Sequence, residues 1–292
     1  MRVSGGALSG VDFGGAGTGV LLVHGSGHNS AAWSEVAAQL VTRCRVVAFD
    51  LRGHGQTAAD SRTAEQYWRD LGAVVAALGW ERPVLVGHST GGYAIAAATA
   101  AGVVDPAALC VVDGLVLDDR ATAVRADAQW RGPDAARQLR EMFRYGWRAA
   151  EGPMLDYIEQ CVRETDTDPL NAGARPELVR EVMRRSFAPG PEGEYVRRPT
   201  VEEIARTAAP DPEAAVYPSV EVYERIECPL TIVLPTDGFY APRAAEVRAV
   251  VRAGHGRRLI EIDGGHNLPM TRPAELASII LDLVHQVRTA TE

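Results

Sequence analysis

Residues 83–102 read PVLVGHSTGGYAIAAATAAG. A short apolar run ends in a serine fenced by glycines, and a stretch of small residues long enough for a helix follows. A buried strand that turns at once into a helix is the building unit of an α/β sheet. Within it GHSTG (87–91) fits G-x-S-x-G in the strand–turn–helix context that the pattern requires. So sharp a turn admits only small neighbours. It also sets Ser89 at the positive end of a helix, where the Thr90 amide can meet a developing negative charge. A serine hydroxyl is a poor nucleophile until a base accepts its proton and a third group orients that base. The remainder of the chain is therefore read for a base, an acid and a second oxyanion donor.

Outward from this stretch the same rhythm recurs. GVLLVHG (19–25), RVVAFDL (45–51) and ALCVVDG (108–114) are nearly continuous apolar runs, as central parallel strands buried on both faces should be. SAAWSEVAAQLV (30–41) and TAEQYWRDLGAVVAALG (63–79) have helical spacing between them. Thr63 with Gln66 suggests a capping box, and Gly79 a stop. The rhythm returns in PLTIVLP (229–235), RRLIEIDGG (257–265) and a closing helix, PAELASIILDLVHQV (273–287). These units predict a doubly wound, mostly parallel sheet built from residues 1–114 and 227–292.

Residues 115–226 break the pattern and read as a helical cap inserted into that sheet domain. DAARQLREMFRYGWRAA (134–150) and PELVREVMRRSF (176–187) are helical and charged, with Pro-, Gly- and Asp-rich loops between. The insertion holds Trp130, Phe143, Tyr145, Trp147, Tyr157, Phe187, Tyr195, Tyr217 and Tyr223. Most of these suit a small core of its own, while aromatics and arginines together can also roof an apolar pocket with some affinity for carboxylate or phosphate.

Composition removes several chemistries. All 30 basic residues are arginine, which excludes a Schiff-base lysine, a pyridoxal phosphate anchor and a P-loop lysine. GGAGTG (14–19) precedes its strand and does not fit a dinucleotide fingerprint. The net charge of −8 weighs against nucleic acid. Cys44, Cys110, Cys161 and Cys228 are scattered and suit neither a disulfide frame nor a zinc site. The expectation is a cytoplasmic protein without cofactor or metal, without a signal peptide or membrane span, acting on a small molecule. The oligomeric state is not legible.

The base is sought past a strand end, where open α/β sheets build their sites. His266, in IDGGHNLPM (262–270), follows both the nucleophile and the last strand. HGSGHNSAAW (24–33) follows the first central strand and can offer the Ser26 amide beside that of Thr90. His24 and His88 border the same loops as packing residues, and His28, His255 and His285 read as peripheral. In DLRGHG (50–55), Asp50, Arg52 and His54 read as a structural loop.

Together, HG-x7-W, D-x-R-G-x-G, G-H-S-x-G-G and G-G-H-N, in this order, resemble the α/β-hydrolase fold superfamily in its serine hydrolase branch. The resemblance covers roughly residues 11–114 and 228–288. It implies a sheet domain with a cap, Ser89 as nucleophile, His266 as base, and an oxyanion hole from the Ser26 and Thr90 amides. Serine at the nucleophile position disfavours the epoxide hydrolase and haloalkane dehalogenase branches, which carry aspartate there. The acid departs from the commonest pattern, P-x5-G-x-x-D: counted from Pro229, the glycine slot falls on Pro235 and the acid slot on Gly238, leaving Asp237 one residue short. Some branches keep their acid after the strand that follows the nucleophile, and there Asp113 lies 24 residues beyond Ser89. Asp113 is favoured, Asp237 is the alternative, and Asp118 and Asp119 are outside choices.

The expected function is a hydrolase that cleaves a carboxylic ester, lactone or thioester through a Ser-His-Asp triad and an acyl-enzyme. The departure at Gly238 keeps a second reading open: a ligand-binding or biosynthetic protein of the same fold with an altered triad. Haloperoxidase or perhydrolase chemistry would use the same residues, and nothing in the sequence singles it out.

Overall fold

The computed structural model describes residues 1–130, 137–138, 140–141, 143–207 and 209–289, with only the backbone for 128–130 and 207. Arg2–Val3 (β1) and Gly6–Ala7 (β2) form a small antiparallel ribbon. The main sheet has seven strands. In chain order they are Gly10–Gly14 (β3), Thr18–Val23 (β4), Cys44–Phe49 (β5), Val84–His88 (β6), Ala108–Val112 (β7), Leu230–Asp237 (β11) and Arg257–Gly265 (β12). Their spatial order is β12-β11-β7-β6-β4-β5-β3, parallel throughout except for β3, which runs antiparallel to β5 at the edge.

The apolar runs divide their side chains between two faces by the two-residue alternation of a strand. Leu21, Val23, Leu85, Leu109, Val111 and Ile232 pack with the helices Gln66–Leu78, Thr90–Ala100 and Ala244–Arg252. Val20, Leu22, Val84, Val86, Cys110 and Val233 pack with Ser34–Leu40 and Pro273–Thr289. Burial on both faces is why these strands carry no polar alternation. The helix after β5 starts at Gln66, whose Oε1 accepts from the amides of Arg62 (2.7 Å) and Thr63 (3.1 Å), so the glutamine half of the expected capping box forms. It ends on Gly79 in the left-handed region (φ 65°).

The chain runs from β4 outward to β5, then crosses back to β6 on the other side of β4. The loops after β4 and β6 thus diverge and open a crevice at the C-terminal edge of the sheet, the switch point at which such sheets bind ligands. Between β7 and β11 the chain leaves the sheet. The helix expected in 176–187 is present at Pro176–Arg185, and further helices lie at Arg120–Trp130, Glu151–Arg163 and Val201–Thr207. A three-stranded antiparallel sheet accompanies them: Arg148–Ala149 (β8), Phe187–Pro189 (β9) and Tyr195–Arg197 (β10), in the order β8-β10-β9. The segment 134–150 is therefore not one helix. Arg144 (φ 53°) and Gly146 (φ 76°) turn the backbone into β8, and residues 134–136, 139 and 142 lie outside the described residues, as does the Trp130 side chain. Trp147, Tyr157 and Phe187 meet edge to face around Met154 and Ile158, giving the insertion its own core.

Asp50 and Arg52 explain the D-x-R-G-x-G loop. Arg52 forms a bidentate pair with Asp70 (2.6 and 2.9 Å) and donates to Asp60 O (2.6 Å), with its side chain 1% exposed. Fully buried Asp50 accepts from the Ser30 amide (2.8 Å), the Gln56 amide (2.9 Å) and the Arg185 guanidinium (2.8 Å). Gln56 Nε2 donates in turn to Arg185 O and Phe187 O, so this loop fastens the insertion to the sheet. Arg52→Met would strand the Asp70 carboxylate in a dry site. It is expected to cost about 3–5 kcal/mol in guanidinium unfolding, whereas the double variant Arg52→Met/Asp70→Leu recovers most of that loss.

Candidate active site

Ser89 ends β6 and precedes the helix Thr90–Ala100 with φ 52° and ψ −125°, a backbone that non-glycine residues rarely adopt. The elbow is possible because Gly87 and Gly91 are in direct contact: a Cβ on Gly87 would collide with Gly91 O, and one on Gly91 with Val23 O. The loop after β4 lies against it, since a Cβ on Gly25 would sit 2.8 Å from Ser89 Cβ. Among the described residues, neither the Thr90 amide nor the Ser26 amide donates to a protein acceptor. Both loops face the crevice at the switch point.

His266 follows β12, and Asp113 follows β7. The His266 Nδ1 hydrogen donates to Asp113 Oδ2 at 2.6 Å, with both side chains buried. In the neutral ring, that bond selects the tautomer in which Nε2 carries no hydrogen. Asp113 also accepts from the amides of Phe239 (2.9 Å) and Tyr240 (3.4 Å). These amides become available because residue 238 is glycine: a Cβ there would lie 2.5 Å from Asp113 Oδ2. Asp237, in contrast, is exposed at the end of β11. Asp118 pairs with Arg243 (2.7 Å), and Asp119 caps the next helix through the Thr122 amide (2.8 Å).

The neighbouring histidines act through the backbone. His88 Nε2 donates to His266 O (2.9 Å), fixing the loop that carries His266. His24 Nε2 accepts from the Leu51 amide (2.9 Å) while Nδ1 donates to Gly25 O (2.7 Å), which leaves His24 no site for a second proton. Burial is the chief cause that lowers its pKa to about 3, with His54 beside it adding to the effect. His54 donates to Arg52 O (2.8 Å). His28 is not peripheral as its sequence setting suggests. The loop turns it inward to stack on His88 with ring centres 6.0 Å apart, close to Asn267 Nδ2 (3.4 Å). Desolvation, followed by the charges of His266, His54 and Arg197, lowers its pKa to about 4.

Ser89, His266, Ser26 and His28 line one cavity of about 730 Å³ under the insertion, which supplies Phe143, Tyr145, Tyr157 and Arg197. Phe239 stacks on the His266 ring at 3.8 Å and 17° and is 63% exposed at the mouth. Tyr145 reaches down so closely that a Cβ on Gly27 would collide with its hydroxyl. No three His, Cys, Asp or Glu side chains converge as a metal set among the described residues. Nor is any described helix long and apolar enough to cross a membrane.

A family model described as the alpha/beta hydrolase family matches residues 20–279. The chain belongs to the alpha/beta hydrolase family. Over 104 residues, 32% of the chain, this alpha/beta hydrolase is 42% identical to protein phosphatase methylesterase 1 of Mus musculus; the match spans only 27% of that relative. A solved hypothetical protein of Pseudomonas aeruginosa PAO1 superposes with a TM-score of 0.69 at 25% identity, covering 96% of both chains. A thermophilic esterase from Thermogutta terrifontis superposes with a TM-score of 0.65 at 22% identity, covering 96% of this chain and 93% of its own. That last likeness is one of fold.

Sequence reading alone did not bring Phe239, Tyr240, Tyr145, His28 or Arg197 to the site. The available signals were the glycine at 238, in the slot where an acid is expected, and the aromatics and arginines of the insertion, which spacing alone could not assign to the cavity.

Proposed function

We propose that the protein is a serine hydrolase of carboxylic esters, lactones or thioesters, with Ser89, His266 and Asp113 as its triad and residues 115–226 as the cap over it. The observation that carries this reading is the buried 2.6 Å bond from His266 Nδ1 to Asp113, at a loop that shares a cavity with a strained, glycine-fenced serine. Ser89 Oγ attacks the acyl carbon while His266 Nε2 takes its proton. The Ser26 and Thr90 amides receive the oxyanion, a stabilisation worth roughly 3–4 kcal/mol per donor. Collapse expels the alcohol or thiol, which takes the proton from His266. Water, deprotonated by the same nitrogen, then releases the acid and frees Ser89. A methylesterase among the partial relatives supports ester cleavage. Gly238, which in the sequence argues for an altered triad, supports an intact one, because its missing Cβ makes room for the Asp113 carboxylate.

Intact mass spectrometry after exposure to a fluorophosphonate probe tests this reading. The parent protein is expected to gain one phosphonyl group, and Ser89→Ala none. A parent that remains unlabelled while short nitrophenyl esters also remain uncleaved would overturn the proposal.

A further inference from the structure

Two arginines line the cavity outside the triad, and of these Arg197 is buried whereas Arg144 is exposed. It ends β10 and is rooted in the insertion's sheet at both backbone groups: its amide donates to Trp147 O (2.8 Å), and its carbonyl accepts from Gly146 N (2.9 Å). The residue is 7% exposed and lines the same cavity as Ser89 and His266. Its guanidinium lies against the rings of Tyr157 and Phe187, 5.6 and 5.9 Å from their centres. Nε donates to Phe143 O (2.7 Å), and Nη1 reaches only the Met183 sulfur (3.5 Å).

A guanidinium has five N–H donors. Two are engaged, one of them by a weak acceptor, and no carboxylate oxygen among the described residues lies within 4.0 Å of an Arg197 nitrogen. Of the three acids that line the cavity, Asp168 accepts from Asn171 Nδ2 and the Leu170 amide, Glu164 accepts from Gln160, and Glu141 is exposed. A buried cation normally has a counter-charge. The aromatic faces compensate Arg197 in part, and its remaining donors point to a partner that arrives with the ligand. A planar fork of parallel N–H groups suits the two oxygens of a carboxylate, and one positive charge balances one negative charge.

Resting on the hydrolase reading for the reaction but not for the binding, we propose that Arg197 seats a free carboxylate carried by the substrate. The compound cleaved at Ser89 is then an ester, lactone or thioester bearing a second, ionised acid group. The test uses monomethyl esters of linear diacids from succinate to suberate, each paired with the methyl ester in which a methyl group replaces the free carboxylate. Calorimetry on Ser89→Ala removes turnover from the measurement. At least one hemiester should bind about 30-fold more tightly than its neutral partner, a preference that Arg197→Gln in the same background abolishes and Arg197→Lys partly restores. In the Ser89 protein, a pH-stat should show a similar ratio between the two kcat/KM values, collapsing to near one in Arg197→Gln.

Equal affinity within every pair, absence of binding by every hemiester, or a preference that survives Arg197→Gln would overturn the anion seat. An Arg197-dependent binding preference without turnover of any ester would instead sustain the seat and count against the hydrolase reading.

Discussion

Exchanging Asp113 for asparagine is expected to lower kcat for a nitrophenyl ester about 10⁴-fold while the thermal transition stays cooperative. The Asp113 carboxylate accepts the His266 Nδ1 hydrogen and carries the negative charge that balances the imidazolium formed when Nε2 takes a proton. Asparagine brings no charge to balance that imidazolium, and where its NH2 faces Nδ1 it also selects the other tautomer, in which Nε2 carries the hydrogen and cannot take a proton from serine. The size remains similar, so the loss arises from charge and proton placement and not from packing. Asp237→Asn is the control, because that side chain is exposed and the bond to His266 comes from Asp113. Its kcat should remain within about threefold of the parent, as expected for an exposed side chain that makes no bond to His266. A tenfold or smaller effect in Asp113→Asn, or a larger effect in Asp237→Asn, would move the acid back to the penultimate strand.

The second large effect is on stability, and acid drives it. His24, His54 and His88 are buried, and burial holds the pKa of each below the ordinary histidine value of 6.5. For His24 the hydrogen bonds impose the same result, because one ring nitrogen accepts an amide and the other donates to a carbonyl. The unfolded chain therefore binds protons that the folded one refuses once the pH falls below 6.5. Stability is fully present above that value and declines as the pH falls towards the folded pKa, about 3 for His24. Each such histidine removes about 1.4 kcal/mol per pH unit within the window. Guanidinium unfolding at pH 5.5 should thus give a free energy roughly 2–4 kcal/mol below that at pH 7. His24→Asn should flatten the slope by about one proton. A midpoint that is level between pH 7 and 5.5 would show that these rings are charged or solvated in the folded protein.

The legibility of the molecule in its sequence follows burial. Strands such as PVLV and ALCVV are buried on both faces, so every side chain reports the same environment and the pattern is unmistakable. The edge strand β3, GVDFG, is flanked by glycine and only half buried, and the sequence reading begins after it. Within the insertion, helical spacing was visible in PELVREVMRR, whereas strands of two or three residues such as β8 and β10 leave no period to detect. Ser89 and His266 are placed by motifs and local turns. The Asp113 bond depends on how the turn through Gly238 folds against a strand 125 residues earlier in the chain, which spacing cannot decide. The same holds for Arg197, which has no carboxylate partner among the described residues, a property of packing between distant segments.

Asp50 has a consequence for transplanting parts of this protein. One carboxylate binds the start of the helix after β4, the loop after β5 and a guanidinium from the insertion, all without solvent. An insertion grafted from a relative would have to bring a cation to the place of Arg185, or arrive together with an uncharged residue at position 50. A graft that brings neither leaves a bare anion beneath the new roof. It should then loosen the loop that carries Ser26 and precedes Trp33, even where every contact of the transplanted segment with itself is preserved. The buried Asp50–Arg185 pair is thus one condition of compatibility between roof and floor, and a library of exchanged insertions could be sorted on that pair before any is made.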